Sequence, residues 1–201
     1  MPEKTDVVLF DFDGTLSAGD SNIEFGKYCL RHSLRPWAYL PLIIFGALAK
    51  FFNPGGTWWR EMMRRFLTQR MVSKFAPDFI KLHKMSRFGW AAEQVAAERA
   101  NGRKVLLISA GPDYLITHLA KDMKFDAVIT SKMNPAAPWE FESFCWGKKK
   151  VSAFNEWARQ NKIIPRVVRS YSDNKSDLPM MEIAKEQVWI NPKTGCRKTG
   201  Y

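Results

Sequence analysis

The sequence has few cysteines, and their spacing suits neither a disulfide framework nor a zinc site. Cys29, Cys145 and Cys196 are odd in number, far apart and form no CxxC pair. This excludes a small disulfide-stapled scaffold and favours a reducing compartment. The first ten residues, MPEKTDVVLF, lack the basic region and long apolar segment of a secretory signal peptide. We therefore expect a cytoplasmic protein.

The chain also lacks an uncharged run long enough for a confident membrane span. Residues 37–49 (WAYLPLIIFGALA) are thirteen uncharged residues interrupted by Pro41 and flanked by Arg31, Arg35 and Lys50, whereas a span needs about 20 residues. Two interpretations stay open. The stretch is the apolar core of a helical segment, or it lies on an anionic membrane, because basic flanks with Trp and Phe suit that position.

Acidic residues are scarce in the middle of the chain. Residues 21–104 contain fifteen Lys and Arg against five acids, which gives +10 of the total formal charge of +11. Basic and aromatic residues alternate around Trp58, Trp59 and Arg60, a mixture that also suits a nucleic-acid surface. No recognised nucleic-acid-binding module accompanies it, so we expect no nucleic-acid partner. A composition of 46% hydrophobic and 25% charged residues indicates a globular protein with a core.

Short apolar runs that end in polar residues predict a parallel, doubly wound α/β sheet. Helical patterns separate the later runs, which is typical of strands joined by crossover helices. The predicted strands are residues 6–11, 104–109, 126–130, 166–169 and 187–190. Pro112 stands at the position of a first helical residue after the second strand, and Lys148 begins a later helix.

Residues 17–103 do not follow this alternation. They indicate several helices broken at Pro36, Pro41, Pro77 and the segment Asn-Pro-Gly-Gly at 53–56. We therefore predict a core domain made of residues 1–16 and 104–201, with a helical cap, residues 17–103, inserted after the first strand.

The segment Asp11-Phe-Asp13-Gly14-Thr15-Leu16 places two carboxylates at the end of the first strand. Ligands of open parallel sheets bind outside the carboxyl ends of the strands. Two Asp separated by one residue suit a Mg²⁺ site in which one carboxylate attacks phosphorus and the other moves a proton. The alternative is an Asp-Gly turn that merely ends a strand.

A second acidic segment, Ser172-Asp173-Asn174-Lys175-Ser176-Asp177, follows the predicted strand 166–169. Taken alone, Asp177 could cap a helix and Asp173 could be a turn residue. Two acidic segments at one sheet edge would repel each other unless a cation joined them. The pair of segments therefore predicts a divalent metal.

DxDGT, a Ser at the end of a second strand, a Lys that begins a later helix and SDxxxD occur in this order. The chain resembles the haloacid dehalogenase superfamily of phosphatases, and its helical insertion resembles the phosphoserine-phosphatase-like branch, subfamily IB. The apolar stretch in the cap is also similar to that of the bacterial phosphatidylglycerophosphatase C group. The resemblance implies a Rossmann-like core and a Mg²⁺-dependent phosphomonoester hydrolase that works through an aspartyl phosphate.

The resemblance also implies a role for each matching residue. Asp11 is expected to be the nucleophile and Asp13 the general acid and base. Of the consecutive Lys148, Lys149 and Lys150, Lys150 is expected to offset the negative charge of Asp11 and the transferred phosphoryl group. The expected Mg²⁺ ligands are Asp11, the Asp13 backbone carbonyl, Asp173 and Asp177. The expected phosphate-binding residues are Thr15, Ser109, Ala110, Gly111 and Lys150.

Substrate contacts are expected from Asp20 and Asn174, although Asp20 suits a helix N-cap equally well. His32, His83 and His118 share no motif, so we expect them to be surface or internally hydrogen-bonded residues. The substrate is either a lipid head-group phosphate, which suits a basic cap on the inner face of a membrane, or a small soluble phosphate such as phosphoserine. The alternative function is a non-enzymatic module that accepts a phosphoryl group or binds a membrane surface.

Overall fold

The computed structural model describes residues 3–32, 69–134 and 136–198, and elements are numbered within these ranges. Their strands form one six-stranded sheet in the order β4-β3-β2-β1-β5-β6. All neighbouring strands are parallel except β3 and β4. The predicted doubly wound α/β sheet is thus confirmed. The strands are β1 (Glu3–Phe10), β2 (Lys104–Pro112), β3 (Ala127–Asn134), β4 (Ala137–Ser143), β5 (Ile163–Ser172) and β6 (Glu186–Trp189).

The antiparallel strand β4 departs from the all-parallel sheet predicted from the sequence. β4 follows β3 almost at once, with Asn134 paired to Ala137. So short a connection permits only an antiparallel hairpin, because a parallel neighbour requires a crossover of a dozen or more residues. The alternation of apolar and acidic residues at 139–142, WEFE, is the strand signal that was missed.

Six α-helices are described in the three ranges. They are α1 (Ser21–His32), α2 (Gln69–His83), α3 (Trp90–Ala100), α4 (Asp113–Ala120), α5 (Lys148–Gln160) and α6 (Leu178–Glu182). The expectation that Pro112 is the first helical residue is wrong by one position. Pro112 is the extended last residue of β2, with ψ of 142°, and pairs with Ser131.

The sheet is buried on both faces because successive side chains of a strand point in opposite directions. In β1, Val8 and Phe10 pack on one face, and Val7 and Leu9 on the other. All four are fully buried. The first face is covered by apolar residues of α3 and α4, and the second by residues of α5 and α6. This two-sided burial fixes the strand ends that carry the site.

The described helices of the insertion pack on each other and on the core. Phe25 of α1 lies 5.2 Å, centroid to centroid, from Phe79 of α2, and both belong to the same apolar cluster as Phe10 of β1. Helix α3, within the range predicted for the cap, contributes Ala91 and Val95 to that cluster. The division into core and cap at 17–103 stays a prediction.

Two sequence expectations lie outside the described residues: the apolar stretch 37–49 and the aromatic and basic segment around Trp58 and Trp59. Within the ranges that are described, no helix is both long and apolar enough to span a bilayer.

Candidate active site

The carboxyl ends of three adjacent strands bring the predicted site residues together. Asp11 follows the central strand β1, Ser109 lies near the end of β2, and Asp173 follows β5. Because β1 is flanked by β2 and β5, the chain changes direction along the sheet at this point, where ligands of open α/β sheets bind. A cavity of about 470 Å³ opens there, and Asp11, Ser109 and Asp173 line it.

Lys150 is a buried cation that joins two acids. Its Nζ donates to Asp11 Oδ1 at 2.7 Å and to Asp177 Oδ2 at 2.8 Å, and the residue is 1% exposed. Burial alone would lower the pKa of this ammonium, but the charges of Asp11 and Asp177 outweigh burial and raise it. Lys148 and Lys149, two and one positions earlier, are exposed to solvent.

Asp11 is crowded by charge of its own sign. Its Oδ1 accepts from Lys150, and its Oδ2 accepts from Thr15 Oγ1 at 3.2 Å. Burial raises the pKa of the Asp11 carboxyl, Lys150 opposes the rise, and the charges of Asp177 and Asp173 add to it. An ionised Asp11 therefore has an excess of negative charge around it that one lysine does not offset.

Asp13 faces the beginning of the insertion. Its Oδ1 accepts from the Ser21 amide at 2.9 Å, and its Oδ2 from Ser21 Oγ at 3.0 Å. Burial and the nearby Asp20 raise the pKa of Asp13 well above its ordinary value, although the Ser21 hydrogen bonds act in the other direction. A carboxyl with a raised pKa can hold a proton near neutral pH, which an acid catalyst requires.

Thr15 and Gly14 connect the first acidic segment to Asp173. Thr15 Oγ1 lies 3.2 Å from Asp173 Oδ1 and accepts from the Asp173 amide at 3.1 Å. Gly14 has φ of +76°, and a Cβ there would overlap the Asp173 carboxylate. Glycine is therefore required both by the backbone and by the close approach of Asp173. Thr15 is fully buried between the two carboxylates and is not among the residues that line the cavity.

Asp177 makes different contacts from Asp173. Its Oδ2 accepts from Lys150 and from Ser172 Oγ, each at 2.8 Å, and the residue is 2% exposed. These contacts position Lys150 beside Asp11. That Asp177 is a metal ligand stays a prediction.

The segment after Ser109 forms the other side of the cavity. Ser109 Oγ accepts from the Gly111 amide at 3.0 Å, and a Cβ at Gly111 would overlap the Ile116 side chain of α4. The segment therefore turns tightly into α4. Ser109, Ala110 and Gly111 all line the cavity, where a hydroxyl and amides near a helix N-terminus suit an anion.

Asp20 and Asn174 line the cavity but also make local bonds. Asp20 Oδ1 accepts from the Ile23 amide at 3.0 Å, which is an N-cap contact for α1. Asn174 Oδ1 accepts from the Ser176 amide at 2.9 Å. Their contact with substrate stays a prediction. Of the histidines, His83 is buried and bonded to Glu24 at 3.0 Å, whereas His32 and His118 are exposed.

The donor chemistry of the site fits Mg²⁺. In the described part of the chain, no three His, Cys, Asp or Glu side chains already form a metal-binding group. However, Mg²⁺ in proteins is usually held by only one or two carboxylates, and the rest of its shell is water or other oxygens. Asp11 and Asp173, which share the Thr15 hydroxyl, supply those carboxylates at a point that has too few cations.

Sequence reasoning missed three aromatic residues and two serines. Phe141, Phe144 and Trp146 line the cavity, and Ser21 and Ser172 hold the carboxylates of Asp13 and Asp177. The alternation at 139–142 includes Phe141, but Phe144 and Trp146 lie beyond it and carry no local signal. The serines depend on side-chain orientations that no motif records.

Comparison with known proteins gives consistent results. Residues 8–182 match the family described as haloacid dehalogenase-like hydrolase. A probable phosphatase of Mycobacterium tuberculosis (strain H37Rv) is 28% identical over 216 residues, which span 98% of this chain and 72% of that protein.

Two solved structures share the fold. A Bordetella pertussis protein of unknown function has a TM-score of 0.78 at 17% identity, over 96% of this chain and 92% of that one. A phosphoserine phosphatase structure with a phospho-aspartyl intermediate analogue has a TM-score of 0.66 at 16% identity, over 94% of this chain and 87% of that one.

Proposed function

The chain belongs to the haloacid dehalogenase-like hydrolase family and is a phosphatase, and we propose that it hydrolyses a phosphomonoester through an aspartyl phosphate on Asp11, with Mg²⁺ as its cofactor. The observation that carries the proposal is the buried pair of Lys150 Nζ and Asp11 Oδ1, 2.7 Å apart at the cavity wall. Lys150 holds the Asp11 carboxylate in one orientation, beside the space where a phosphate would enter.

In the first step, an Asp11 oxygen attacks phosphorus and the bond from phosphorus to the ester oxygen breaks. Asp13 gives its proton to the departing oxygen, a role supported by its raised pKa. The amides after Ser109 and the Lys150 ammonium hold the three equatorial phosphoryl oxygens, over which negative charge is spread in the transition state. Asp177 and Ser172 keep Lys150 in place.

In the second step, Asp13 takes a proton from water, whose oxygen attacks phosphorus. The bond from phosphorus to Asp11 then breaks, which regenerates the carboxylate and releases inorganic phosphate. When bound by Asp11, Asp173 and the Asp13 backbone carbonyl, Mg²⁺ would supply the positive charge that a dianionic phosphate needs beside several acids.

The substrate class has two candidates: a lipid head-group phosphate at the inner face of a membrane, or a small soluble phosphate such as phosphoserine. The lipid candidate depends on the basic insertion and on residues 37–49, which lie outside the described residues. The soluble candidate is supported by the shared fold of phosphoserine phosphatase.

Release of phosphate from 4-nitrophenyl phosphate, with Mg²⁺ and then with a chelator, tests the proposed function. We expect turnover with Mg²⁺, its loss in chelator, and inhibition by beryllium fluoride, which mimics a phosphoryl group on Asp11. Absence of turnover under both conditions would contradict the proposed enzymatic function. It would favour a non-enzymatic module that accepts a phosphoryl group or binds a membrane surface. Turnover that resists the chelator would contradict the Mg²⁺ assignment.

The same preparation distinguishes the two substrate classes. If the substrate is a lipid, we expect more of the protein to sediment with vesicles that contain phosphatidylglycerol than with neutral vesicles. This binding would weaken with salt because the attraction of basic residues to the surface is screened within about 10 Å at 0.1 M. Absence of binding at low salt would leave the soluble phosphate as the substrate class.

A further inference from the structure

Three aromatic side chains form a contiguous surface on the wall of the cavity that contains Asp11. Phe141, Phe144 and Trp146, called here the aromatic cluster, all line this cavity. The ring centroids of Phe141 and Phe144 are 4.7 Å apart, and those of Phe144 and Trp146 are 6.4 Å apart with planes inclined by 12°. The cluster is thus a continuous apolar face.

Two of the three rings, those of Phe144 and Trp146, are exposed to solvent. Phe144 is 37% exposed and Trp146 is 50% exposed. Aromatic side chains gain much of their stabilising effect by burying about 150–250 Å² each. Adjacent aromatic rings left open beside a cavity are therefore better explained by a ligand that covers them than by folding.

The aromatic cluster is fixed relative to the phosphate-binding segment. Cys145, between Phe144 and Trp146, is buried, and its amide donates to Ser131 Oγ at 2.9 Å. Ser131 Oγ in turn donates to the Ala110 carbonyl at 2.8 Å. One hydroxyl thus joins the aromatic segment to the residues after Ser109.

The same segment is also joined to the helix of Lys150. The Trp146 carbonyl accepts from the Lys149 amide at 3.1 Å, and the Gly147 carbonyl accepts from the Lys150 amide at 3.0 Å. The backbone of Trp146 is therefore held in place relative to the lysine that contacts Asp11. Rigid placement of this kind is what a surface needs in order to select a substrate.

We propose that the aromatic cluster receives the leaving group of the substrate, so that the preferred phosphomonoesters carry an apolar or aromatic group next to the phosphate. The inference rests on the proposed phosphatase function. A phosphate held between Asp11, Lys150 and the Ser109 segment directs its ester substituent into the rest of the cavity, where the cluster forms a wall. A zwitterionic substituent such as that of phosphoserine would lose hydration against these rings without gaining a polar partner from them.

A series of n-alkyl phosphates from ethyl to hexyl phosphate tests this inference. Their leaving alcohols have nearly the same acidity, so differences in kcat/KM report contact with the chain. We expect kcat/KM to rise about three- to fourfold for each methylene that reaches the cluster. Comparison of hexyl with 3-phenylpropyl phosphate distinguishes an aliphatic from an aromatic substituent, and O-phosphoserine is expected to be a poor substrate.

Variants assign the effect to the cluster. In Trp146→Ala and Phe144→Ala, the rise with chain length is expected to flatten, and Trp146→Phe should restore most of it. The matched control is Ile164→Ala, which removes an apolar side chain that is 48% exposed near the beginning of β5, away from the cavity. Ile164→Ala should keep the full rise of kcat/KM with chain length. The thermal unfolding temperature of each variant shows whether the fold is retained.

Two results would overturn the inference while leaving the phosphatase in place. One is a flat series in the wild type, and the other is an equal loss for all esters in Trp146→Ala, which would assign the cluster a structural role. If none of the esters is hydrolysed with Mg²⁺ present, the proposed function itself fails, and that result is distinct from the other two.

Discussion

Two groups of charges in this protein differ in the number of cations that contact each buried carboxylate. In the candidate site, Asp11 and Asp177 share one cation, Lys150. The second group, called here the Glu98 cluster, is centred on Glu98 of α3, which accepts from both Arg103 and Arg169. Arg169 also pairs with Glu186, whose side chain is more exposed. Glu98 is 1% exposed, so both groups contain carboxylates removed from water.

The pKa values shift in opposite directions in the two groups. Burial would raise the pKa of Glu98, but hydrogen bonds from Arg103 and Arg169 and their charges outweigh burial and lower it. The pKa of Asp11 is raised because burial and neighbouring acids outweigh Lys150. The Glu98 cluster is electrostatically complete and stabilises the fold. In the candidate site, Asp11 and Asp177 share the single cation Lys150, and a metal ion would supply further positive charge during function.

The largest expected effect comes from replacing the nucleophile. Asp11→Asn keeps the size of the side chain but removes the attacking charge, so kcat should fall by roughly four orders of magnitude or more. The measurement is phosphate release with saturating Mg²⁺. Asp6→Asn, an acid-to-amide change in the strand that precedes Asp11 and on a partly exposed side chain, is the control and should remain active. Retention of more than a few per cent of activity in Asp11→Asn would exclude the covalent mechanism.

Replacement of Lys150 is expected to have the second-largest effect on activity. Lys150→Ala removes a donor to the phosphoryl oxygens and should lower kcat by roughly 10²- to 10³-fold. Lys148→Ala and Lys149→Ala, adjacent on the same helix but exposed, should stay close to wild type because solvated charges contribute little. Unfolding curves show whether Lys150→Ala folds. An inactive, folded Lys148→Ala beside an active Lys150→Ala would reverse the assignment.

The metal site gives a smaller and more specific effect. Asp173→Asn should raise the Mg²⁺ concentration needed for half-maximal activity by about 10- to 100-fold, as for loss of a group that organises a metal. Asp177→Asn should raise it less, since the Asp177 carboxylate contacts Lys150 and Ser172. The measurement is a Mg²⁺ titration of activity. An unchanged Mg²⁺ requirement in Asp173→Asn would remove Asp173 from the metal site.

The Glu98 cluster should affect stability without affecting turnover. Glu98→Gln leaves Arg103 without its charged acceptor and Arg169 with Glu186 alone. It should cost about 1–3 kcal/mol of unfolding free energy, or about 2–4 °C in Tm per kcal/mol. The control is Glu156→Gln, an exposed acid paired with Arg159, which should change Tm little. A large loss of activity in folded Glu98→Gln would contradict a purely structural role for the cluster.

The smallest expected effect is the pH dependence of the difference in Tm between wild type and Glu98→Gln. Because the pKa of Glu98 is lowered in the folded state, its contribution is complete above the ordinary value of 4.5 and is lost as pH falls through the lowered folded value. The Tm gap between wild type and Glu98→Gln should therefore be constant from about pH 7 to pH 5 and narrow at lower pH. A gap that widened as pH fell would show that the pKa of Glu98 is raised.

The acidic motifs could be placed from sequence because strand topology is simple to infer. Asp11, Ser109 and Asp173 each follow a short apolar run, and the ends of parallel strands meet at one edge. For Lys150, the helical period decides between neighbours, since Lys150 and Phe154 are four residues apart and both buried. The roles of these residues in catalysis stay predictions.

Other features depend on contacts between distant segments and could not be inferred. Glu98 and Arg103 are five residues apart, but Arg169 lies 71 residues after Glu98 in β5, and no local pattern connects it to them. The aromatic cluster was missed because the hairpin partner β4 was not assigned. Its alternation is only four residues long, and the antiparallel direction follows from the short connection to β3.

The position of β1 has a consequence for synthesis of the chain. β1 lies between β2 and β5, and its residue Glu3 pairs with Ile163, 160 positions later. At about 5–20 residues per second, roughly 10–30 s pass between translation of the two partners. During this interval one side of the apolar sequence Val7-Val8-Leu9-Phe10 has no partner strand, and such an edge is prone to aggregation. A nascent chain would therefore need a chaperone or the growing insertion to shield that edge until β5 leaves the ribosome.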